Sequence, residues 1–337
     1  MRTPCYFITG GAGFIGSHLV RFLLTHTNAS VVNIDCLSYA SQPQALADLA
    51  QHPRYYFCHS DINDGATLNQ LFNQHQPQAV LHLAAESHVD NAIHSPEAFM
   101  HSNIQGTFTL LEETRLYWQG LSAQKQADFR FLHVSTDEVF GDLALGAPPL
   151  TEAAPYRPSN PYSASKAASD HLVNAWHRTY GLPTLITHCT NNFGPWQHPE
   201  KLIPRMLACA LEETPLPLYG DGHNSRDWLY VDDHIQALWL ILNNGVCGSD
   251  YHISAQQEVS NLELVSRLCQ RLDALKPRAS GQSYAELISF VTDRPGHDVR
   301  YALNADKLKR TLGWHIAVDF DTRLEQTVRW YLESLNP

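Results

Sequence analysis

The 337-residue sequence predicts an α/β fold, a doubly wound parallel sheet with a smaller, loop-rich C-terminal substrate-binding domain. Three observations carry this. Strand-like apolar runs alternate with amphipathic, helix-like segments through the first half. A glycine-rich loop joins the first strand to the first helix. After about residue 190 prolines, loops and short elements dominate.

Taken in order, CYFITG (5–10) is a short apolar strand. Residues 14–27 form a helix with Ile15, Leu19, Phe22 and Leu23 on one face. VVNID (31–35) is a second strand and YYFCHSDI (55–62) a weaker third. ATLNQLFNQH (66–75) is a helix, AVLHLAA (79–85) a fourth strand, and 96–117 one long helix. FRFLHVS (129–135) is the fifth strand, 161–181 a long helix, and PTLITHCTN (183–191) the sixth strand. Such an order is Rossmann-type, with the ligand beyond the carboxyl ends of the strands. We expect a dinucleotide-binding domain over 1–190, with 229–255 packing back onto it. Residues 191–337 form the mainly substrate-binding part.

Charge and composition narrow the function. Apolar residues are 44% and charged residues 17%, as in a soluble globular protein, and the net charge is −11. That balance argues against nucleic acid or an anionic membrane as the partner. The longest apolar run, 237–242, is too short to span a bilayer. The chain enters a strand and a glycine loop at once, unlike a signal peptide. Seven scattered cysteines without a C-x-x-C pair read as reduced thiols, hence a cytoplasmic protein. None of the 19 histidines falls in a ligand spacing such as H-E-x-x-H, so no metal is expected. His82, in an apolar strand, reads as a core histidine; His88 is left open.

TGGAGFIG points to a dinucleotide. Gly10, Gly13 and Gly16 give G-x-x-G-x-x-G, and Gly11, Gly13 and Gly16 also satisfy G-x-G-x-x-G. Glycines allow a tight turn and let a pyrophosphate reach the helix N-terminus, where free N–H groups favour an anion. Asp35 ends the second strand, 19 residues after Gly16. A carboxylate there accepts from ribose hydroxyls and repels a 2′-phosphate. No cation follows it, since Cys36, Leu37 and Ser38 come next, so the cofactor is NAD rather than NADP.

SNPYSASKAASDHL opens a helix with Asn160 as N-cap and Pro161 in the first turn. Tyr162 and Lys166, four apart, share one face. An ammonium nearby is expected to lower the tyrosine toward a range useful for taking a hydroxyl proton. Together with Thr136 at a strand end, these residues resemble the extended short-chain dehydrogenase/reductase superfamily. The resemblance covers nearly the whole chain. It implies that Thr136 hydrogen-bonds the reacting hydroxyl while Tyr162 and Lys166 act as above.

Asp137 and Glu138 extend the resemblance. STDEVFG (135–141) looks like the nucleotide-sugar 4,6-dehydratases, in particular those acting on dTDP-glucose, whereas epimerases of the superfamily carry small or neutral residues there. LHLAAESHVD (81–90), TNNFGPWQHPEKLIP (190–204), LYGDGHNSRDWLYVDDH (218–234) and DRPGHDVRYALNADKL (293–308) agree. The resemblance implies that Glu138 takes the C5 proton and Asp137 protonates the departing C6 hydroxyl. Two neighbouring carboxylates out of water do not both ionise easily, which keeps one proton on the pair. In a regular strand Asp137 would face away from Thr136 and Glu138, so the chain must turn after Thr136.

By the same resemblance Phe14, Ile15, Cys36, Leu37, Ser38, Asp61, Ile62, Leu83, Ala84, Ala85, Ser102 and Asn192 lie around the cofactor. Ser87 and Asn191 reach the sugar. Lys201, Leu202, Pro217, Leu218, Tyr219, Arg226, Asn261, Arg294 and His297 hold the nucleotide diphosphate. Cys36, Asn91, Ser102, Phe140 and Phe193 depart from the common pattern. A homodimer through helices 96–117 and 161–180 is also implied. The alternatives are a dehydratase of a UDP, CDP or GDP sugar, a nucleotide-sugar 4-epimerase, and a non-catalytic dinucleotide-binding protein.

Overall fold

A strand buried on both faces belongs in the middle of a layered sheet. In Cys5–Thr9 the adjacent Phe7 and Ile8 are both fully buried, and they pack into different core clusters on the two sides. The computed structural model describes residues 3–293 and 297–334. The chain opens with β1 (Cys5–Thr9), α1 (Phe14–His26), β2 (Ser30–Asp35), β3 (Tyr55–His59), α2 (Gly65–His75) and β4 (Ala79–His82). The short α3 (Val89–His94) and α4 (Pro96–Phe99) lead through a π turn (Met100–Gly106) into α5 (Thr107–Gln119). α6 (Ala123–Asp128), β5 (Arg130–Thr136), a 3-10 turn (Asp137–Phe140), α7 (Pro161–Tyr180) and β6 (Thr184–Cys189) follow. Next come β7 (Asn191–Phe193), α8 (Leu202–Leu211), β8 (Leu216–Tyr219), β9 (Ser225–Tyr230), α9 (Val231–Asn244) and β10 (Asp250–Ile253). The described chain finishes with β11 (Glu258–Ser260), α10 (Asn261–Leu275), β12 (Ile288–Val291), α11 (Asp306–Leu312) and α12 (Phe320–Ser334).

The main sheet runs β10-β6-β5-β4-β1-β2-β3, with every neighbouring pair parallel. Strand order reverses between β1 and β4, which opens a crevice at their carboxyl ends. This is the Rossmann-type α/β architecture the sequence predicts. α1 and α9 cover one face, and α2, α5 and α7 cover the other. β10 forms an edge of this sheet, so chain from the second half returns to the first. A separate cluster joins α8, α10 and α12 to β8 and β9, including Leu207, Leu218, Leu268 and Val328. Among the described residues no helix is long and apolar enough to cross a membrane.

Three element predictions need correcting, the first being the third strand, which ends at His59 rather than at 62. The helix expected over 96–117 is broken at Met100–Gly106 by the π turn. Asn103 explains why: its carbonyl accepts from the hydroxyls of Thr107 (2.5 Å) and Ser169 (2.6 Å). The fourth strand stops at His82 rather than running to 85, so Leu83–Ala85 are loop. His82 is a satisfied core histidine, bonded at its two ring nitrogens to the hydroxyls of Thr9 (2.8 Å) and Thr107 (2.9 Å).

α7 forms as its ends dictate. Asn160 caps it, accepting from Ser163 N–H at 2.9 Å, while Ser163 Oγ accepts from Asn160 N–H at 3.2 Å. Gly181, at φ +76°, closes it in the left-handed region.

Candidate active site

The glycine loop lies in the crevice between β1 and β4. Gly10 sits at φ +71°, and a Cβ there would be 2.7 Å from Ala84 N. A Cβ at Gly16 would be 2.1 Å from Gly10 O, so the loop folds onto its own helix only without side chains. Gly13 starts α1 with no side-chain cap and no acid in the first turn, leaving the helix N–H groups open to an anion. Asp35, buried at the end of β2, accepts from Ala12 N–H (2.9 Å), Leu37 N–H (2.8 Å) and Ser41 Oγ–H (2.9 Å). Three of about four carboxylate lone-pair positions are thus engaged, and one can still meet a ribose hydroxyl. An uncapped helix end, a side-chain-free loop and an anchored carboxylate fit a dinucleotide.

A cavity of 440 Å³ runs from this loop to the carboxyl ends of β5 and β6. It brings together Gly10, Gly13, Phe14, Ile15, Gly16, Asp35, Cys36, Ser38, Asp61, Ile62, Leu83, Ala84, Ala85 and Ser102. At its other end it gathers Ser87, Thr136, Asp137, Glu138, Tyr162, Lys166, Asn191, Asn192 and Lys201. Leu37 is not on its wall: it stands at φ +54° with its N–H turned to Asp35.

The turn demanded after Thr136 is present. Thr136 keeps extended geometry (φ −133°, ψ 155°) and caps the 3-10 turn, its Oγ1 accepting from Glu138 N–H at 3.3 Å. The turn brings Thr136, Asp137 and Glu138 to one cavity, which strict alternation forbids. Gly141, at φ +77°, ends it, and a Cβ there would be 2.1 Å from Arg157 O. Asp137 is 4% exposed. Its Oδ1 accepts from Thr136 Oγ1–H at 3.1 Å, and its Oδ2 has no hydrogen-bond partner. Burial first, and the Glu138 charge second, push the Asp137 carboxyl up to about 8. At neutral pH it carries a proton.

Tyr162 and Lys166 project from α7 into the same cavity. Tyr162 is buried and packs with Phe99 and Ala92. The tyrosine expectation is corrected here. Burial and the neighbouring Glu138 raise Tyr162 well above its ordinary value, and Lys166 does not offset them. The lysine donates to Val134 O at 2.9 Å.

Of the residues expected on the nucleotide diphosphate, Lys201 lines this cavity and the other described ones fall beyond its wall. Pro217, Leu218 and Tyr219 lie on β8, paired with β12. Leu202 begins α8 and Asn261 begins α10. His297 meets the Tyr219 ring at 6.1 Å, and its Nδ1 is 2.6 Å from Asp293 Oδ1. Arg294 lies outside the described residues. Arg226 is buried on β9, stacked at 4.6 Å over Tyr301. Its guanidinium donates to the carbonyls of Ser225 (2.8 Å), Val299 (3.2 Å) and Asp298 (2.9 Å). Its charge is felt at Asp137, so this region adjoins the carboxylate pair.

Sequence reading missed Asn103. Its Oδ1 accepts from Glu86 N–H (2.8 Å), and its Nδ2 donates to Glu86 O (3.0 Å) and Ser165 Oγ (2.8 Å). It thereby ties the loop after β4 to α7, between Tyr162 and Lys166. His88 caps α3 and stands 3.5 Å from Glu200, at the cavity mouth with Lys201. Phe140 and Phe193, where the common pattern has tyrosines, are buried among rings, a setting that suits phenyl.

The profile of the GDP-mannose 4,6 dehydratase family matches residues 7–327. A dTDP-glucose 4,6-dehydratase of Haemophilus influenzae is 52% identical over 327 residues, 96% of this chain and 97% of that one. The chain belongs to the nucleotide-sugar 4,6-dehydratase family. A dTDP-glucose 4,6-dehydratase from Streptomyces venezuelae, solved with NAD, superposes with a TM-score of 0.87 at 42% identity, covering 98% of this chain and 97% of that one. A UDP-glucose 4-epimerase from Thermotoga maritima also gives 0.87, but at 26% identity over 98% of this chain and 100% of that one. Backbone likeness alone therefore does not separate dehydratase from epimerase.

The Asp137 shift has a stability consequence. Its folded pKa lies above the ordinary value of 3.8, so the native state holds the proton more tightly. That contribution is fully present below the unfolded pKa and is lost as pH rises to about 8. Asp137→Asn should therefore raise the melting temperature over wild type, with a gap that widens from about pH 5 to about pH 8. Thermal melts at both values check it; a gap independent of pH contradicts the buried, protonated carboxyl.

Proposed function

We propose that this 4,6-dehydratase converts dTDP-glucose to dTDP-4-keto-6-deoxyglucose, using NAD that is regenerated in each turnover. The observation that carries the reading is the buried Asp137, its carboxyl pushed up to about 8, beside Glu138 in the cavity that also holds Thr136, Tyr162 and Lys166.

Tyr162 takes the C4 hydroxyl proton, and Thr136 hydrogen-bonds the same oxygen. NAD held at the glycine loop and Asp35 would supply a hydride acceptor facing C4 and a hydride donor facing C6, and its positive charge while oxidised would favour the Tyr162 phenolate. A ketone at C4 acidifies the C5 hydrogen. Glu138 removes that proton, and Asp137 gives its own to the departing C6 hydroxyl. Glu138, after its proton exchanges with solvent, protonates C5. Tyr162 ends with one proton more and Asp137 with one fewer, so transfer between them closes the cycle, and the net loss is water.

Ser87 and Asn191 hold the sugar end. Lys201, Leu202, Pro217, Leu218, Tyr219, Arg226, Asn261, Arg294 and His297 hold the nucleotide diphosphate. An acidic chain needs such local cations to attract a doubly charged ligand. Arg226 meets it with the N–H groups left over from its three carbonyl bonds. On this reading 1–190, with 229–255 packed onto it, serves the cofactor, and 191–337 mainly serves the substrate. Seven scattered cysteines with no C-x-x-C pair and an NAD requirement support a cytoplasmic protein; recovery of the activity only outside the cytoplasm would overturn this.

A homodimer through α5 and α7 completes the proposal. Phe108 (39% exposed), Leu116 (50%) and Tyr180 (43%) stand out on these adjacent helices, and Trp176 touches both Phe108 and Tyr180. Phe108→Arg should sediment as a monomer where wild type sediments as a dimer; equal sedimentation contradicts the pairing.

Proton NMR of dTDP-glucose incubated with the protein and a trace of NAD⁺ tests the reaction. A new C6 methyl doublet is expected. A doublet from a UDP, CDP or GDP sugar alone would reassign the nucleobase, and none from any of them would overturn the dehydratase reading. The Asp137→Asn, Glu138→Gln double variant should still reduce bound cofactor but form no methyl signal. Loss of cofactor reduction as well, in folded protein, contradicts the assigned roles.

A further inference from the structure

One buried carboxylate has no part in the proposed reaction. Asp170 stands one turn beyond Lys166 on α7, and both are buried against the main sheet. Positions four apart on a helix are neighbours. Its Oδ2 accepts from Ser135 Oγ–H at 2.9 Å and lies 3.1 Å from His188 Nε2. His133 Nε2 is 3.2 Å from its Oδ1. A cluster so deep and so well supplied with donors is built to hold an anion, because a carboxylate without them would take up a proton. Burial alone would raise Asp170, but the His133 and His188 rings beside it outweigh burial and hold the carboxyl below its ordinary range.

The cations in reach are few. Burial, then the Lys166 charge, pushes His133 down to about 4, so this ring is neutral near pH 7. Lys166 is lowered by burial and supported by the Asp170 charge. Facing the lysine are the Val134 carbonyl and His133 from β5, Cys189 from β6 and His82 from β4. The Cys189 thiol is pushed up to about 12 by burial and is uncharged. Facing Asp170 are His133 and Ser135 from β5, His188 from β6, Tyr156 from the loop before α7, and Asp250 from β10.

We propose that Asp170 is a positioning residue for the first chemical step: held by Ser135, His133 and His188, its carboxylate balances the buried Lys166 ammonium beneath the cofactor and Tyr162. The role of the lysine, and only that, rests on the proposed dehydratase function. A buried charge that loses its partner is strongly destabilised, so removing Asp170 makes the lysine shed its proton more easily. The reaction then fails as pH rises through the lowered lysine value.

Single-turnover reduction of bound cofactor by dTDP-glucose, followed from about pH 6 to about pH 9, reads this directly. In Asp170→Asn the alkaline limb should move acidward by about one unit, a loss of about tenfold on that limb with little loss at the acid end. His133→Asn disturbs the same cluster but leaves the charge, so its limb should stay in place. A loss by one factor at every pH in both variants would overturn the proposal and leave Asp170 a structural residue. Should Asp170→Asn not fold, wild type decides: the nitrogen-15 signal of the Lys166 side chain, assigned with Lys166→Gln, should remain that of an ammonium to about pH 8. A neutral amine at about pH 7 overturns the proposal. Failure of wild type to reduce cofactor would instead count against the dehydratase reading, and the lysine titration would still stand.

Discussion

Two carboxylates on consecutive residues, taken out of water together, cannot both be charged cheaply. That repulsion at Asp137 and Glu138 is the constraint on which the proposed chemistry depends. Burial raises Asp137 and the charge of Glu138 raises it further, up to about 8. One side chain of the pair is thereby an acid at neutral pH, without any metal or third group. An elimination needs an acid at the leaving oxygen and a base at the neighbouring carbon, and adjacent residues in different protonation states provide both.

On the proposed reading the fold puts this pair beside a redox site. β5 lies next to β4, whose loop Leu83–Ala85 lines the same cavity, and next to β6, which leads into Asn191 and Asn192. The 3-10 turn capped by Thr136 rotates Asp137 and Glu138 into the space above α7. Asn103 then locks the loop after β4 to α7 through Glu86 and Ser165. Oxidation and elimination can thus act on one sugar without its moving, because the groups for both sit at the ends of neighbouring strands.

Much of this was legible in the sequence, for local reasons. The glycine loop, Asp35 and the Asn160 cap follow rules of backbone freedom and hydrogen bonding that operate within a few residues. Strand alternation with helices sufficed for the sheet, since its inner strands β1, β4, β5 and β6 are buried on both faces. What was not legible depends on distant partners. The π turn needs Asn103 to meet Ser165 and Ser169, more than 60 residues away. The direction of the Tyr162 shift is set by Phe99, Ala92 and Glu138 closing around the ring, so a rule about one lysine gave the wrong sign. The same limit applies to Arg226, whose three carbonyl partners belong to residues 225, 298 and 299.

The central claim is that one hydride leaves C4 and returns to C6 of the same sugar, while C5 exchanges its proton through Glu138. dTDP-glucose deuterated at C4, turned over in ordinary water, tests it in one spectrum. The account predicts a product methyl group carrying the deuterium, with hydrogen from solvent at C5 when the starting C5 position is also deuterated. Deuterium lost to solvent, or retained at C4 in an inverted hexose, would contradict it.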